Sequence, residues 1–316
     1  MKVSLLPAFL VMAAALLAND VVSTSVSDVS ANTSSLGIFK TSNSTTNGKS
    51  LNPAVIKGYK FFDSGTGEEI VIRGIAYNPR PNTGDLDKNS VDYFTEEHRG
   101  IWERDIPYLK ALGVNAVRLY AVDHTKNHDG FMCALQQAGI YTIVSLARDC
   151  PTCAITRDEA PKCYPKELKE QGQAVINAFA KYPNVLGFSA GNEVNHYTPG
   201  DNPEWNGPCQ KKFLRDMRKY IASCPNMRKV PVGVISADSE RDDVTLYYNC
   251  ASKSGSGKMD PYENAEWFGL NSYLYCAGNV TQLKDAGGYG LLLKSFESYN
   301  YSIPAILSEF GCLSKS

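Results

Sequence analysis

The sequence has almost no net charge: 32 Lys and Arg stand against 33 Asp and Glu over 316 residues, a formal charge of −1. Nucleic acid and anionic lipid are gripped by basic clusters, so neither is expected as a main partner. Long apolar runs are missing beyond Ala18, so no later segment is expected to cross a bilayer. No Gly-x-Gly-x-x-Gly follows the first β-rich run, which disfavours a dinucleotide-binding fold. Histidine is scarce, at four residues, and neither a histidine nor a fourth cysteine lies near Cys150, Cys153 and Cys163. That cluster therefore reads as a local disulfide in preference to a zinc knuckle. No cofactor and no metal is expected.

The N-terminus reads Met1-Lys2-Val3 followed by an apolar run from Leu5 to Ala18. One positive charge, a short apolar core and a small-residue end make residues 1–18 a secretory signal peptide, with an uncleaved anchor as the alternative. Residues 19–52 are rich in Ser, Thr, Asn and Val and hold few large apolar side chains. Such a stretch cannot bury enough surface to offset its ordering entropy and is expected to be a flexible linker. Asn32, Asn43, Asn279 and Asn300 stand in Asn-x-Ser/Thr acceptors for glycosylation. Most of the nine cysteines should be paired in a secreted chain, with one left over.

From residue 53 to 316 the pattern is that of one catalytic domain. Seven short runs rich in Val, Ile and Tyr recur: Ile70–Tyr77, Asn115–Val122, Tyr141–Ala147, Val185–Glu193, Val230–Asp238, Trp267–Tyr273 and Ala305–Phe310. Amphipathic stretches lie between them at Trp102–Leu112, His128–Ala138, Pro165–Lys181 and Pro208–Ser223, punctuated by Gly113 and Gly139 at their ends and Pro at their starts. Regular β-then-α alternation predicts a parallel sheet, and a (β/α)8 barrel of the TIM type is the best single architecture. Only seven strands are visible, the last ending close to the chain terminus, so the domain is expected to be incomplete at its C-terminal end.

Active residues of such barrels sit at the C-terminal ends of strands. Glu193 ends the fourth run, in "GFSAGNEV", and Glu309 ends the seventh, in "AILSEFG". An acidic side chain ending an apolar run is costly unless paired or solvated. Glycoside cleavage requires two carboxyls, one to protonate the departing oxygen and one to attack the anomeric carbon, about 5 Å apart when configuration is retained. The fourth and seventh strands can face each other across a barrel mouth. Asn192, beside Glu193, offers an amide to a sugar hydroxyl.

The segments "FFDSGTGEEIVIRGIAYNP", "LKALGVNAVRLYAVD", "FAKYPNVLGFSAGNEV", "WFGLNSYLYC" and "YSIPAILSEFGC" resemble, in order, the β-1,3-glucanosyltransferases of glycoside hydrolase family 72. The resemblance implies that Glu193 is the acid/base and Glu309 the nucleophile. It implies a substrate-binding set of Tyr77, Asn78, Tyr120, Asn192, Asn271 and Tyr273, with the Tyr273 phenol hydrogen-bonded to Glu309. It pairs Cys276 with Cys312 and gives Cys250 a partner beyond the chain. The chain departs from the family pattern at Asn78, where the family has Gln, at Ser145, where it has Asp, and at Phe310, where it has Tyr. A family disulfide would fall at Trp102 and Phe131, so an aromatic contact is expected in its place.

The implied reaction is cleavage of a β-1,3-glucan and transfer of the new reducing end to another glucan during cell-wall assembly. A plain endo-β-1,3-glucanase and a non-catalytic glucan-binding wall protein are the alternatives. The implied location is the cell surface or wall, with a glycosylphosphatidylinositol anchor in the longer family members as the only link to a membrane.

Overall fold

The computed structural model describes residues 51–79, 91–196, 198–249, 260–273 and 287–311. The signal peptide, most of the linker, Asn32, Asn43, Asn279, Cys250, Cys276 and Cys312 lie outside them. Among the described residues no helix is long and apolar enough to cross a membrane.

All seven predicted strands form. They are β3 (Gly74–Ala76), β4 (Ala116–Leu119), β5 (Tyr141–Ser145), β6 (Val185–Asn192), β7 (Val232–Ala237), β8 (Phe268–Asn271) and β9 (Ala305–Glu309). They pair in parallel, each with the next in sequence, in the order β3-β4-β5-β6-β7-β8-β9. The connecting helices are α1 (Arg99–Ala111), α2 (Asp129–Gln137), α3 (Lys166–Phe179), α4 (Pro203–Ser223), α5 (Arg241–Tyr248) and α6 (Gly287–Ser298). The sheet is curled. In a flat sheet β4 and β9, five strand steps apart, would be about 24 Å from each other. Yet Arg118 of β4 holds Glu309 of β9 at 2.7 Å, so the strands wrap into a nearly closed barrel.

Strand alternation sorts the apolar residues into two cores. Val117, Leu119, Val144, Phe188, Val232, Val234, Phe268 and Leu270 face outward and pack against the helices in the larger cluster. Ala116, Ile143, Leu186, Ile235 and Trp267 face inward in the smaller one. A hairpin that the sequence reading did not anticipate, β1 (Ala54–Lys57) paired antiparallel with β2 (Lys60–Asp63), adds Ala54 and Phe61 to this inner core. It sits at the N-terminal ends of the strands, where the Tyr141 hydroxyl donates to Asn52 O at 2.8 Å.

Three helices differ from expectation. Helix α4 begins at Pro203, five residues before Pro208: Asn202 caps it by accepting from Glu204 N at 2.8 Å, and Pro208 is carried inside. Proline suits the first turn of a helix, and here Pro203 takes that position. Helix α6 (Gly287–Ser298) was not anticipated, and neither was α5. The eight residues of α5, RDDVTLYY, bury only Val244, Thr245 and Tyr248, too few for a clear apolar stripe.

The expected aromatic contact is present: Trp102 of α1 and Phe131 of α2 meet edge to face at 5.7 Å, both buried. Cys150 joins Cys153, as the local-disulfide reading anticipated, while Cys163 pairs with Cys209 on α4. Cys133 and Cys224 are free thiols. Asn300 is exposed in the turn after α6.

The inner core is built around Trp267, whose indole lies across Gly187 of β6 and Gly233 of β7. A Cβ at Gly233 would come within 2.3 Å of both the indole and the Trp267 carbonyl. The carbonyl belongs to the backbone and cannot swing away. Gly233→Ala is therefore expected to destabilise the domain near the upper end of the ~1–3 kcal/mol range for overpacking, measured as a lower denaturation midpoint.

Candidate active site

The C-terminal ends of β4, β6, β8 and β9 bring eight polar side chains together. Two elements of strand geometry place them. On β4, period-two alternation puts Arg118 and Tyr120 on the inner side with Ala116. On β6 and β9 the register slips just before each glutamate, between Ser189 and Asn192 and between the residues opposite Leu270 and Asn271. Such irregularities re-aim a side chain that regular alternation would send elsewhere. Glu193 moreover adopts a left-handed backbone, with φ 49°. For a non-glycine residue that costs roughly 1–3 kcal/mol and persists only where the surroundings impose it.

Glu309 accepts three hydrogen bonds. Arg118 Nη1 and the Tyr120 hydroxyl reach Oε1, each at 2.7 Å, and the Tyr273 hydroxyl reaches Oε2 at 2.6 Å. Burial, reinforced by the neighbouring carboxylate, pushes both phenols well above their ordinary pKa, so they remain donors. Glu193 has a different setting: its Oε1 accepts from Asn271 Nδ2 at 2.7 Å. Burial pushes its carboxyl above the ordinary range. The Asn271 bond opposes that rise, and the charge of Glu309 adds to it.

Arg118 and Asn271 connect the two glutamates. Arg118, only 5% exposed, also donates through Nη2 to Asn192 Oδ1 at 2.5 Å and through Nη1 to Asn271 Oδ1 at 3.3 Å. Its guanidinium lies 4.4 Å from the centre of the Tyr120 ring. Asn271 Nδ2 donates further to Asn192 Oδ1 at 3.1 Å, and Ser308 Oγ donates to Asn271 Oδ1 at 2.8 Å.

Five of the anticipated substrate-binding or catalytic side chains thus join Glu309 in one network: Glu193, Asn192, Tyr120, Asn271 and Tyr273. Tyr77 does not join it. It is buried between the sheet and the helices, stacked on Phe131 at 6.4 Å, with its hydroxyl donating to Asp105 of α1 at 3.0 Å. Its assignment to substrate binding is corrected accordingly: the residue faces the outer core. Asn78 follows it and is half-buried at the end of β3. The sequence reading missed Arg118, although a signal was there: an arginine inside the apolar run "NAVRLY", two residues before Tyr120 and hence on its face. Among the described residues no group of three or more His, Cys, Asp or Glu could hold a metal ion.

A nearly closed β/α barrel with two linked carboxylates at the C-terminal ends of its strands defines a glycosidase-type barrel. The chain belongs to the glucanosyltransferases of glycoside hydrolase family 72, whose model matches residues 43–316. It is 36% identical over 259 residues to 1,3-beta-glucanosyltransferase GAS5 of Saccharomyces cerevisiae, covering 81% of this chain and 48% of that protein. It is also 36% identical to 1,3-beta-glucanosyltransferase gas5 of Schizosaccharomyces pombe, over 81% of this chain and 46% of the relative. Among solved structures, Saccharomyces cerevisiae Gas2p in complex with laminaritriose and laminaritetraose matches with a TM-score of 0.67 and 34% identity, over 84% of this chain and 55% of that one. The chain thus spans about half the length of the curated relatives it matches.

Two measurements test this geometry. Arg118→Met removes a preorganised donor from Glu309 and is expected to lower kcat by about 10²–10³-fold on any glycoside the protein turns over. The second concerns Glu193. A carboxyl whose folded pKa is raised weakens the fold once pH climbs past the unfolded value. Glu193→Gln is therefore expected to raise Tm at pH 7 and to converge on the unsubstituted protein below about pH 4.

Proposed function

We propose that the protein is a retaining β-1,3-glucan transglycosylase acting on cell-wall glucan. The observation that carries this reading is the unequal setting of the two carboxyls. Glu309, held by Arg118 and two phenols, is suited to act as the nucleophile. Glu193, half-buried and pushed above the ordinary carboxyl range by that burial, is suited to the role of proton donor. Environments that separate a pair of carboxyls in this way divide them into acid and nucleophile. The glucanosyltransferase relatives and the laminari-oligosaccharides bound by Gas2p supply the substrate class.

The reaction takes two steps. A Glu309 oxygen bonds to the anomeric carbon of an internal β-1,3-linked glucose while the glycosidic C–O bond breaks, and Glu193 gives its proton to the departing oxygen. The glucan lacking the new reducing end leaves, and the other portion stays as a glycosyl ester. A hydroxyl of an acceptor glucan then attacks the same carbon, its proton passes to Glu193, and the ester bond breaks to restore the Glu309 carboxylate. Asn192 is placed to bond the 2-hydroxyl of the sugar, and Asn78 is a further amide at the strand ends. Tyr273 and Phe310 are 50% and 58% exposed. Their rings offer apolar faces to sugar rings, which helps an acceptor glucan displace water.

Incubation with a reduced laminari-oligosaccharide tests the reading. Products longer than the donor are expected; products that are only shorter would make the protein a hydrolase on this scaffold. Glu309→Gln is expected to abolish the glycosyl-enzyme, and its appearance in mass spectra of that variant would reject the nucleophile assignment.

A further inference from the structure

Glu193 follows a stretch in which the β6–β7 ladder is interrupted, although its own N–H donates to Ile235 O of β7 at 2.9 Å. Gly191, with φ 121°, lies inside the register slip between β6 and β7, and Glu193, with φ 49°, lies just beyond it. A bulged stretch loses ladder bonds and must be fixed by something else. Two amides on α4 supply what is missing. Gln210 Nε2 donates to Ala190 O at 3.1 Å, and Asn206 Nδ2 donates to Val194 O at 2.6 Å. Four residues apart on the helix, they stand one above the other on the same face. The two carbonyls they hold bracket Gly191, Asn192 and Glu193.

Both amides are essentially fully buried and are themselves anchored. Gln210 Oε1 accepts from the hydroxyl of the fully buried Tyr248 on α5 at 2.5 Å. Asn206 Nδ2 also donates to Thr156 O at 3.1 Å. Between them Cys209 ties α4 to Cys163. Space is limited on the strand side as well, since a Cβ at Gly191 would meet Gln210 Nε2 at 3.3 Å.

We propose that Asn206 and Gln210 form an amide clamp that aims the Glu193 carboxyl at the departing oxygen. They are positioning residues, and Tyr248 holds the clamp in place. This rests on the reading of Glu193 as the acid/base. Displacing a reacting group by about 1 Å costs on the order of 10²-fold in rate, while the whole of general acid catalysis is worth about 10²–10⁴-fold. Loosening the clamp should therefore impair the step that needs the proton. It should spare attack by Glu309, which is held from β4 and β8.

The experiment compares two donors in the full chain. One is a laminari-oligosaccharide, whose leaving hydroxyl needs a proton. The other is a dinitrophenyl β-laminaribioside, whose phenolate leaves without one. Gln210→Met keeps the volume and removes the amide. Its kcat on the oligosaccharide is expected to fall about 10- to 100-fold, with KM within about twofold. The burst of dinitrophenolate from the aryl donor should stay within about twofold of the unsubstituted protein. Tyr248→Phe, a milder change, should show the same selectivity at smaller size and serves if Gln210→Met does not fold. Equal losses on both donors, or none on either, would overturn the clamp. Glu193→Gln run in parallel separates the two claims. If it shows the donor selectivity and the clamp variants do not, the clamp alone is wrong. If it does not, the acid/base assignment is wrong and the clamp's role falls with it.

Discussion

The buried guanidinium of Arg118 is the interaction on which the site depends. An arginine this enclosed is tolerated only when its charge is met; the two Nη groups of Arg118 are paired, while its Nε is buried without a partner. Here the compensation comes from three other strands: the Glu309 carboxylate of β9, the Asn192 carbonyl of β6 and the Asn271 carbonyl of β8. Only β8 and β9 are neighbours in the sheet, and a flat sheet would keep β4 and β6 apart from them. The same contacts that neutralise the cation therefore hold the curl of the barrel and fix the separation of the two glutamates. The planar fork matters as much as the charge. One arm serves the carboxylate and the other an amide, a division that a lysine ammonium would not impose.

From that centre the chemistry divides. Glu309 lies on the charged side of the network, with a cation and two phenols directed at it. Glu193 meets an uncharged amide, Asn271, and its left-handed backbone carries the carboxyl away from the guanidinium's direct reach. Asn271 is the hinge of this asymmetry. Its nitrogen faces Glu193 while its oxygen receives Arg118 and Ser308, so a single amide stands between two carboxyls in unequal settings. Both glutamates also follow register slips. A further slip lies lower in the sheet, between β5 and β6 at Thr142 and Ile143.

Much of this was legible in the sequence because barrels write their strands as short apolar runs and place chemistry at the ends of those runs. The seven strands, both glutamates and the tyrosines of "RLY" and "NSY" followed from that grammar and from the family resemblance. Arg118 was overlooked because attention fell on the run's end, though its alternation with Tyr120 was available. Tyr77 was misplaced for the converse reason: sitting at a strand end does not say which face a side chain takes, and alternation sends this one to the helices. The register slips before Asn192 and Glu309, the β1–β2 hairpin and the partner of Cys163 depend on contacts between distant segments, which no local pattern records. Two cysteines 46 residues apart carry no mark of their pairing.

The distribution of covalent and non-covalent ties follows the demands of the site. At Trp102 and Phe131, where α1 meets α2 in the outer core, two buried rings suffice to join the helices. Nothing catalytic hangs from that junction, and a small shift in ring packing changes little at the strand ends. Helix α4 is different, because its Asn206 and Gln210 hold the carbonyls on either side of Glu193. A hydrogen-bonded clamp is only as firm as the helix that presents it. The Cys163–Cys209 bond enters α4 between those two residues and ties it to the segment after β5. Closing a loop of that length removes about 4 kcal/mol of freedom from the unfolded chain in the entropic account. Its placement matters more than its size: it fixes the turn of α4 whose displacement would move the backbone around Glu193.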